Sequence, residues 1–193
     1  EMMRINREAE QAAINLVKAE GGKVSKGVRF EMAPLEQPVE DYRIYNHMKS
    51  TNERGQETLI RKPQIISLKN ITNYSAFNAT EEAVLPKGYL IPVEFENIVE
   101  HLKRTGVKVE QLTRNRRASG EVFEAKAISF GNRPFEKHQM ATLEGTFKAD
   151  TKRFRKGDYW VDLAQPLANL IFYMLEPRSD DGLVTWNFFD EYF

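Results

Sequence analysis

The stretch from Pro86 to Leu112, PKGYLIPVEFENIVEHLKRTGVKVEQL, constrains the fold more than any other part of the chain. YLIPV is a short apolar run. Phe95, Ile98, Val99 and Leu102 then recur at helical spacing, and Gly106 follows the last of them. VKVEQL returns to the pattern of a strand. A strand, a helix of about three turns and a strand in so short a span predict a small β-α-β unit.

Upstream, Ile5, Ala9, Ala12, Ala13, Leu16 and Val17 recur with the helical period. They predict an amphipathic helix over residues 4–20, ended by Gly21 and Gly22. Its Ala-rich stripe should pack closely against another element. Val28, Phe30 and Met32 alternate with polar neighbours, as in a strand. The segments 41–49 and 57–68 flank a polar loop containing Gly55 and predict a hairpin. Residues 69–80 have no clear period and read as a surface connection.

Downstream of Leu112 the pattern is again one of strands. TRNRRASGE, residues 113–121, reads as a basic loop, and residues 120–130 as a strand. Ala141, Leu143, Gly145 and Phe147 alternate with polar residues, the signature of a half-buried strand. YWVDL follows the turn Lys156-Gly157-Asp158. Pro166 stands where a helix starts, and Pro177 ends it. Leu167, Leu170, Ile171, Met174 and Leu175 are its expected buried face.

The expected class is α/β or α+β: a mostly antiparallel sheet with the small β-α-β unit and two or three covering helices. Residues 1–80 form a layer of N-terminal helix plus hairpin, and residues 86–193 a C-terminal α/β region. The two should make one compact unit.

Charge and composition exclude several functions. Of 193 residues, 28 are basic and 28 acidic, so no global field attracts nucleic acid. No apolar run approaches the ~20 residues of a membrane span, so no membrane insertion is expected. Cys is absent, which excludes disulfides and thiolate chemistry. The three histidines, His47, His101 and His138, form no H-x-x-E or H-E-x-x-H pair. No G-x-S-x-G elbow, P-loop or G-x-G-x-x-G is present. No catalytic residue, bound metal or cofactor is therefore expected in this chain. His138, in the charged loop RPFEKHQ beside a strand end, is the histidine best placed for a contact role.

The last residues, PRSDDGLVTWNFFDEYF, pose the remaining question. Ser179-Asp180-Asp181-Gly182 has turn chemistry. Trp186, Phe189 and Phe193 share a helical face, whereas Trp186 and Phe188 share a strand face. Such side chains contribute about 1.5–3 kcal/mol each when buried. One reading folds the tail back to seal a core or an interface through Trp186 and Phe189. Another makes it a ligand platform, with Trp186 as stacking surface and Asp180 or Asp181 as acceptor. An aromatic platform for a glycan or cell-wall peptide would also use Tyr159 or Trp160.

Three segments carry a family resemblance: PKGYLIPVEFENIVEHLKRTGVKVEQL, RPFEKHQ, and DYWVDLAQPLANLIFYMLEPRSDDGLVTWNFFDEYF. Together they resemble the region after the catalytic domain of large bacterial zinc carboxypeptidases, metallo-exopeptidases of the carboxypeptidase A class. The resemblance covers a little over half the chain. It implies a non-catalytic C-terminal accessory domain whose partner is the peptidase domain of the same polypeptide. It also implies zinc in that missing domain, and a periplasmic or secreted parent. The first residues, EMMRINREAEQ, lack an apolar signal core, and Glu1 precedes Met2 and Met3, as in an excised piece.

Overall fold

The computed structural model describes residues 2–193. Its elements are α1 (Met2–Glu20), β1 (Ser25–Ala33), β2 (Val39–Thr51), β3 (Glu57–Ile71), β4 (Ala76–Val84), β5 (Gly88–Ile91), α2 (Glu96–Arg104), β6 (Glu110–Gln111), β7 (Arg116–Phe130), β8 (Ala141–Phe154), β9 (Tyr159–Asp162) and α3 (Ala168–Leu175). They fall into two compact units. One is Glu1–Phe30, described from Met2 onward, with Ala79–Phe193; the other is Glu31–Asn78. The class is α+β, with antiparallel pairing for β2–β3, β5–β9, β6–β9 and β7–β8. The expected broad sheet is instead split into three two-stranded ribbons and one three-stranded sheet among the described residues.

The larger unit is organised around that three-stranded sheet, in the order β5-β9-β6. Ile91 lies opposite Tyr159, and Gln111 lies opposite Tyr159 on the other side. Since β5 and β6 both run antiparallel to β9, they are parallel to each other but not neighbours. The expected direct β-α-β pairing is therefore a split one, with β9 inserted between its strands. Helix α2 makes the crossover and buries Ile98, Val99 and Leu102 completely. Gly106 ends it at φ 91°, a conformation glycine adopts without steric cost.

VKVEQL contributes only Glu110–Gln111 to the ladder. The Gln165 side chain explains why. It accepts the Lys108 N–H at 2.8 Å and donates to the Lys108 carbonyl at 3.1 Å, taking both backbone groups. Asp158, 7% exposed, is satisfied in the same way, by the N–H groups of Val93 (3.0 Å) and Arg155 (2.7 Å).

Around the sheet a single core gathers Val17, Val28, Leu85, Val161, Leu163 and Phe172 with the α2 residues. Helix α3 starts at Ala168, after a turn in which its N–H bonds the Gln165 carbonyl at 3.0 Å. It buries Ala168, Ile171, Phe172 and Met174, while Leu170 is 40% exposed. The expected face is thus rotated so that Phe172 replaces Leu170.

Helix α1 packs against α3, within the same unit, through its last turns only. Val17 is buried and Ala13 packs against the core, but Ile5 is 52% and Leu16 37% exposed. The close Ala-rich packing expected along the whole helix is absent because every residue from Met2 to Ala12 is exposed.

Two segments read as loops are strands. Residues 76–80 belong to β4, and residues 116–121 to β7. Most of these residues are exposed on both strand faces, so no apolar alternation marked them. The ribbon β7–β8 is held by its ladder and by cross-strand contacts such as Ser119 with Thr151 at 2.8 Å.

The smaller unit is the β2–β3 hairpin with its approaches. The side chain of Asn52 accepts the N–H groups of Arg54 and Gln56, both at 3.0 Å, and Gly55 has φ 75°. This is the polar turn expected around Gly55.

Candidate functional site

The C-terminal tail folds as consecutive turns that end in a single 3-10 turn, Asp190–Tyr192, rather than as an α-helix or a strand, and Leu183, Val184 and Thr185 are buried. It is pinned at several points. The Leu183 N–H bonds the Met174 carbonyl at 2.9 Å, and the Ala141 N–H bonds the Thr185 carbonyl at 3.0 Å. The tail therefore seals the core of the larger unit through these aliphatic residues.

The four acidic residues of the tail are separated by role. Asp180 docks on β1: its Oδ2 accepts the Phe30 N–H at 2.9 Å, and its own N–H bonds the Val28 carbonyl at 3.0 Å. Asp181 accepts the Trp186 indole N–H at 2.6 Å. Glu191 accepts from Asn97 at 2.9 Å, and Asp190 from Asn187 at 3.4 Å. Each carboxylate is engaged by a neutral donor, the arrangement of a structural brace.

His138 and Trp186 come together, with ring centroids 5.4 Å apart and edge to face. Phe135 flanks the same indole at 6.2 Å. Nδ1 of His138 lies 3.1 Å from Oδ1 of Asn187, whose amide donates to the Gln139 carbonyl at 2.9 Å. Behind them is a tight turn. Phe135 and His138 exchange both backbone hydrogen bonds at 2.8 Å, and the two residues between them, Glu136 and Lys137, have φ 48° and 72°. That is the backbone of a type I′ turn, usually built from Asn and Gly. An open depression of about 450 Å³ lies here, lined by Phe130, Lys137, His138, Gln139, Asn187 and Asp190.

Phe189 lies apart from this group. Its ring packs on Phe95 at 5.9 Å and Tyr192 at 6.1 Å, over the start of α2. Of the five expected contact residues, the structure thus joins His138, Trp186 and Asp181. Asp180 and Phe189 serve other contacts. Tyr159 is 3% exposed with its hydroxyl donated to Glu96 at 2.9 Å, and the Arg116 guanidinium stands over the Trp160 ring at 5.4 Å. Tyr159 thus presents no face for stacking, and one face of Trp160 lies under Arg116.

Two polar clusters went unread in the sequence. Glu176, at the end of α3, is 4% exposed, and its Oε1 accepts the Tyr89 hydroxyl at 2.8 Å. Burial pushes its carboxyl up to about 7, against the opposing effects of the Tyr89 hydrogen bond and the Arg178 charge. Burial also pushes the Tyr89 phenol well above its ordinary range, with the Glu176 charge adding to it. In the second cluster Glu81 bridges two guanidiniums, Arg29 at 3.0 Å and Arg178. Arg29 further donates to the carbonyls of Arg178 (2.9 Å) and Leu143 (3.3 Å), tying β1, β8 and the tail together. Neither cluster has a motif: Tyr89 and Glu176 are 87 positions apart, Glu81 and Arg178 97.

A second open depression, about 350 Å³, has Arg29, Ser179 and Asp180 in its lining. Ser179 is 2% exposed, and its Oγ accepts the Asp181 N–H at 3.3 Å. Its carbonyl accepts the Thr185 hydroxyl at 2.6 Å. This is turn chemistry, with no base oriented on the hydroxyl among the described contacts. Among the described residues no three His, Cys, Asp or Glu side chains gather closely enough to hold a metal ion. No described helix is long and apolar enough to cross a membrane.

No family model matches the chain, and no solved structure does. Curated proteins do. It is 27% identical over 193 aligned positions to Carboxypeptidase 2 of Trichophyton rubrum, covering 86% of this chain and 36% of that protein. It is 28% identical to Probable carboxypeptidase 2 of Arthroderma benhamiae, over 81% of this chain and 34% of that protein. A shorter match, 29% identical over 52% of this chain, joins it to Carboxypeptidase 2 of Trichophyton tonsurans. These relatives are fungal carboxypeptidases; they support the carboxypeptidase link, not the likeness to the bacterial C-terminal region. The chain spans about a third of the length of the first two, and is related in sequence to that part of a carboxypeptidase.

Proposed function

We propose that this chain is a non-catalytic accessory portion of a carboxypeptidase-related protein. It packs on the peptidase portion of the same polypeptide and shapes the path of substrate to the cleft. The observation that carries this reading is the lopsided match: most of this chain aligns with about a third of Carboxypeptidase 2. The zinc expected of a carboxypeptidase A-type enzyme does not fit this chain's residues, since His47, His101 and His138 lie on β2, α2 and the turn before β8. On this reading the metal and the general base belong to the other portion, and the whole protein works outside the cytoplasm.

Helix α1 offers a surface for that packing. Met2 and Met3 are 79% and 77% exposed, and Ile5 continues the apolar stripe. The test has two arms. The rest of the gene should encode an H-x-x-E pair followed by a distant His. That peptidase portion, produced separately, should bind the 193-residue chain, and Met3→Glu with Ile5→Glu should weaken binding about tenfold. A gene without the zinc motif, or a peptidase portion that ignores this chain, refutes the proposal.

A further inference from the structure

The segment TRNRRASGE carries three arginines, and the fold brings four more cations to it. The Leu112 N–H bonds the Asp158 carbonyl at 2.7 Å, and the Gly157 N–H bonds the Leu112 carbonyl at 2.9 Å. The Lys156 N–H bonds Oδ1 of Asn115 at 2.9 Å. The ladder then begins, with Arg116 opposite Phe154, Arg117 opposite Arg153 and Ala118 opposite Lys152. Arg114, Arg116 and Arg117 thus share one end of the β7–β8 ribbon with Lys152, Arg153, Arg155 and Lys156. All seven are exposed.

This charge is not balanced on the spot. Among the described residues, only Lys152 of the seven has a carboxylate within 4.0 Å, that of Asp150. Of the other bordering acids, Glu110 stands opposite Trp160, and Glu121 opposite Ala149, farther along the ribbon. Both carboxylate oxygens of Asp158 are taken by backbone N–H groups. Arg117 and Arg153 stand directly opposite on one side of the ribbon, and like charges so placed cost stability.

The ribbon also has room for another strand. In the described sheets β8 pairs with β7 alone, and every residue from Thr146 to Arg153 is exposed. Its outer edge therefore carries main-chain groups without a ladder partner. Positive charge at that edge repels a second copy of itself and favours a strand that carries carboxylates. Arginine forks match carboxylates with paired hydrogen bonds. The basic stretch covers about five residues of each strand, ~16 Å, the length of a short extended segment. With 28 basic and 28 acidic residues in the chain, no wider field draws a long polyphosphate.

We infer that the basic end of the β7–β8 ribbon binds a separate polypeptide through an extended acidic segment, laid along β8 with carboxylates on Arg117 and Arg153. This binding needs no peptidase portion, so its failure leaves the proposed function standing, and the failure of that function leaves this binding standing.

The probe is a dye-labelled peptide of about six Thr-Glu repeats, whose alternation sets the carboxylates on one side of a strand. Fluorescence anisotropy with the purified 193-residue chain at about 50 mM salt should give a dissociation constant below about 100 µM. Binding should weaken at least about fivefold at about 300 mM salt. The same peptide with glutamine for glutamate should not bind. Arg117→Glu with Arg153→Glu should weaken binding at least about tenfold, and Lys126→Glu, farther along β7, less than about twofold. Arg117→Glu alone turns the like-charge pair into an opposite one. It should raise the thermal midpoint by about 2 °C while it weakens binding, which a purely structural role for Arg117 would not do. A lower midpoint, no binding by the native chain, or equal loss in the Lys126 variant overturns the inference. So does an oligothymidylate of equal charge that binds as tightly, which would make the end a general anion surface. A whole polypeptide that ignores the peptide overturns it too, since the end is then covered by its own chain.

Discussion

The Tyr89 hydroxyl donates to Oε1 of Glu176 at 2.8 Å, joining β5 to the end of α3 across 87 positions of sequence. The carboxyl it meets is 4% exposed and sits where the carbonyl end of the helix adds negative potential. The charged groups acting on it are Arg178, which favours ionisation, and Glu121, which opposes it.

That carboxyl makes stability depend on pH. Its folded value is about 7 against an ordinary 4.5, so the folded state holds the proton longer than the unfolded state. Its contribution is fully present below pH 4.5 and is lost as pH rises towards 7 and above. The shift corresponds to about 3 kcal/mol. Glu176→Gln keeps an acceptor for Tyr89 and removes the titration. Urea unfolding at pH 5 and pH 8 should show a loss of that order in the native chain and little change in the variant.

The Arg29–Glu81–Arg178 bridge should be worth more than a surface ion pair. The three side chains are 24–29% exposed, and Glu81 alone separates two guanidiniums. Glu81→Ala leaves them facing each other and should cost about 2 kcal/mol. Raised salt should restore part of the loss, because screening relieves the repulsion. Chemical denaturation at low and high salt checks both.

Gly88 sits where β5 passes β9 most closely. A Cβ there would run into the Trp160 ring and the Val161 carbonyl oxygen, both in a strand fixed on two sides. Gly88→Ala should cost about 3 kcal/mol, visible as a lower thermal midpoint and weaker protection of the β9 amides.

The turn Glu136-Lys137 stores strain that substitution should relieve. Both residues have positive φ, at 48° and 72°. Glu136→Asn with Lys137→Gly supplies the residues that type I′ turns favour, and should raise stability by about 1–2 kcal/mol. The Trp186 fluorescence maximum should stay in place, because the His138 and Asp181 contacts to its ring are unaltered.

The sequence made visible what depends on periodicity. Ile98, Val99 and Leu102 marked α2 because one side of that helix is fully buried. Ala141 and Leu143 marked the start of β8 for the same reason. Where a strand is exposed on both sides, as in residues 76–80 and 116–121, no alternation forms and the strand was read as loop. The candidate site was half visible. Trp186 and His138 stood out by type and meet in space, yet Asn187, which links His138 to the tail, carried no local signal. Glu176 carried no local signal either. Its burial depends on Tyr89 and on a tail that returns over α3, both fixed by tertiary packing alone.

The central claim is that this chain assists a peptidase without hydrolysing peptide bonds itself. The direct measurement is release of C-terminal residues from a synthetic peptide by the purified 193-residue chain in excess zinc, with zinc content determined after dialysis. The account predicts no release above buffer and no retained zinc. Turnover together with about one zinc per chain would contradict it.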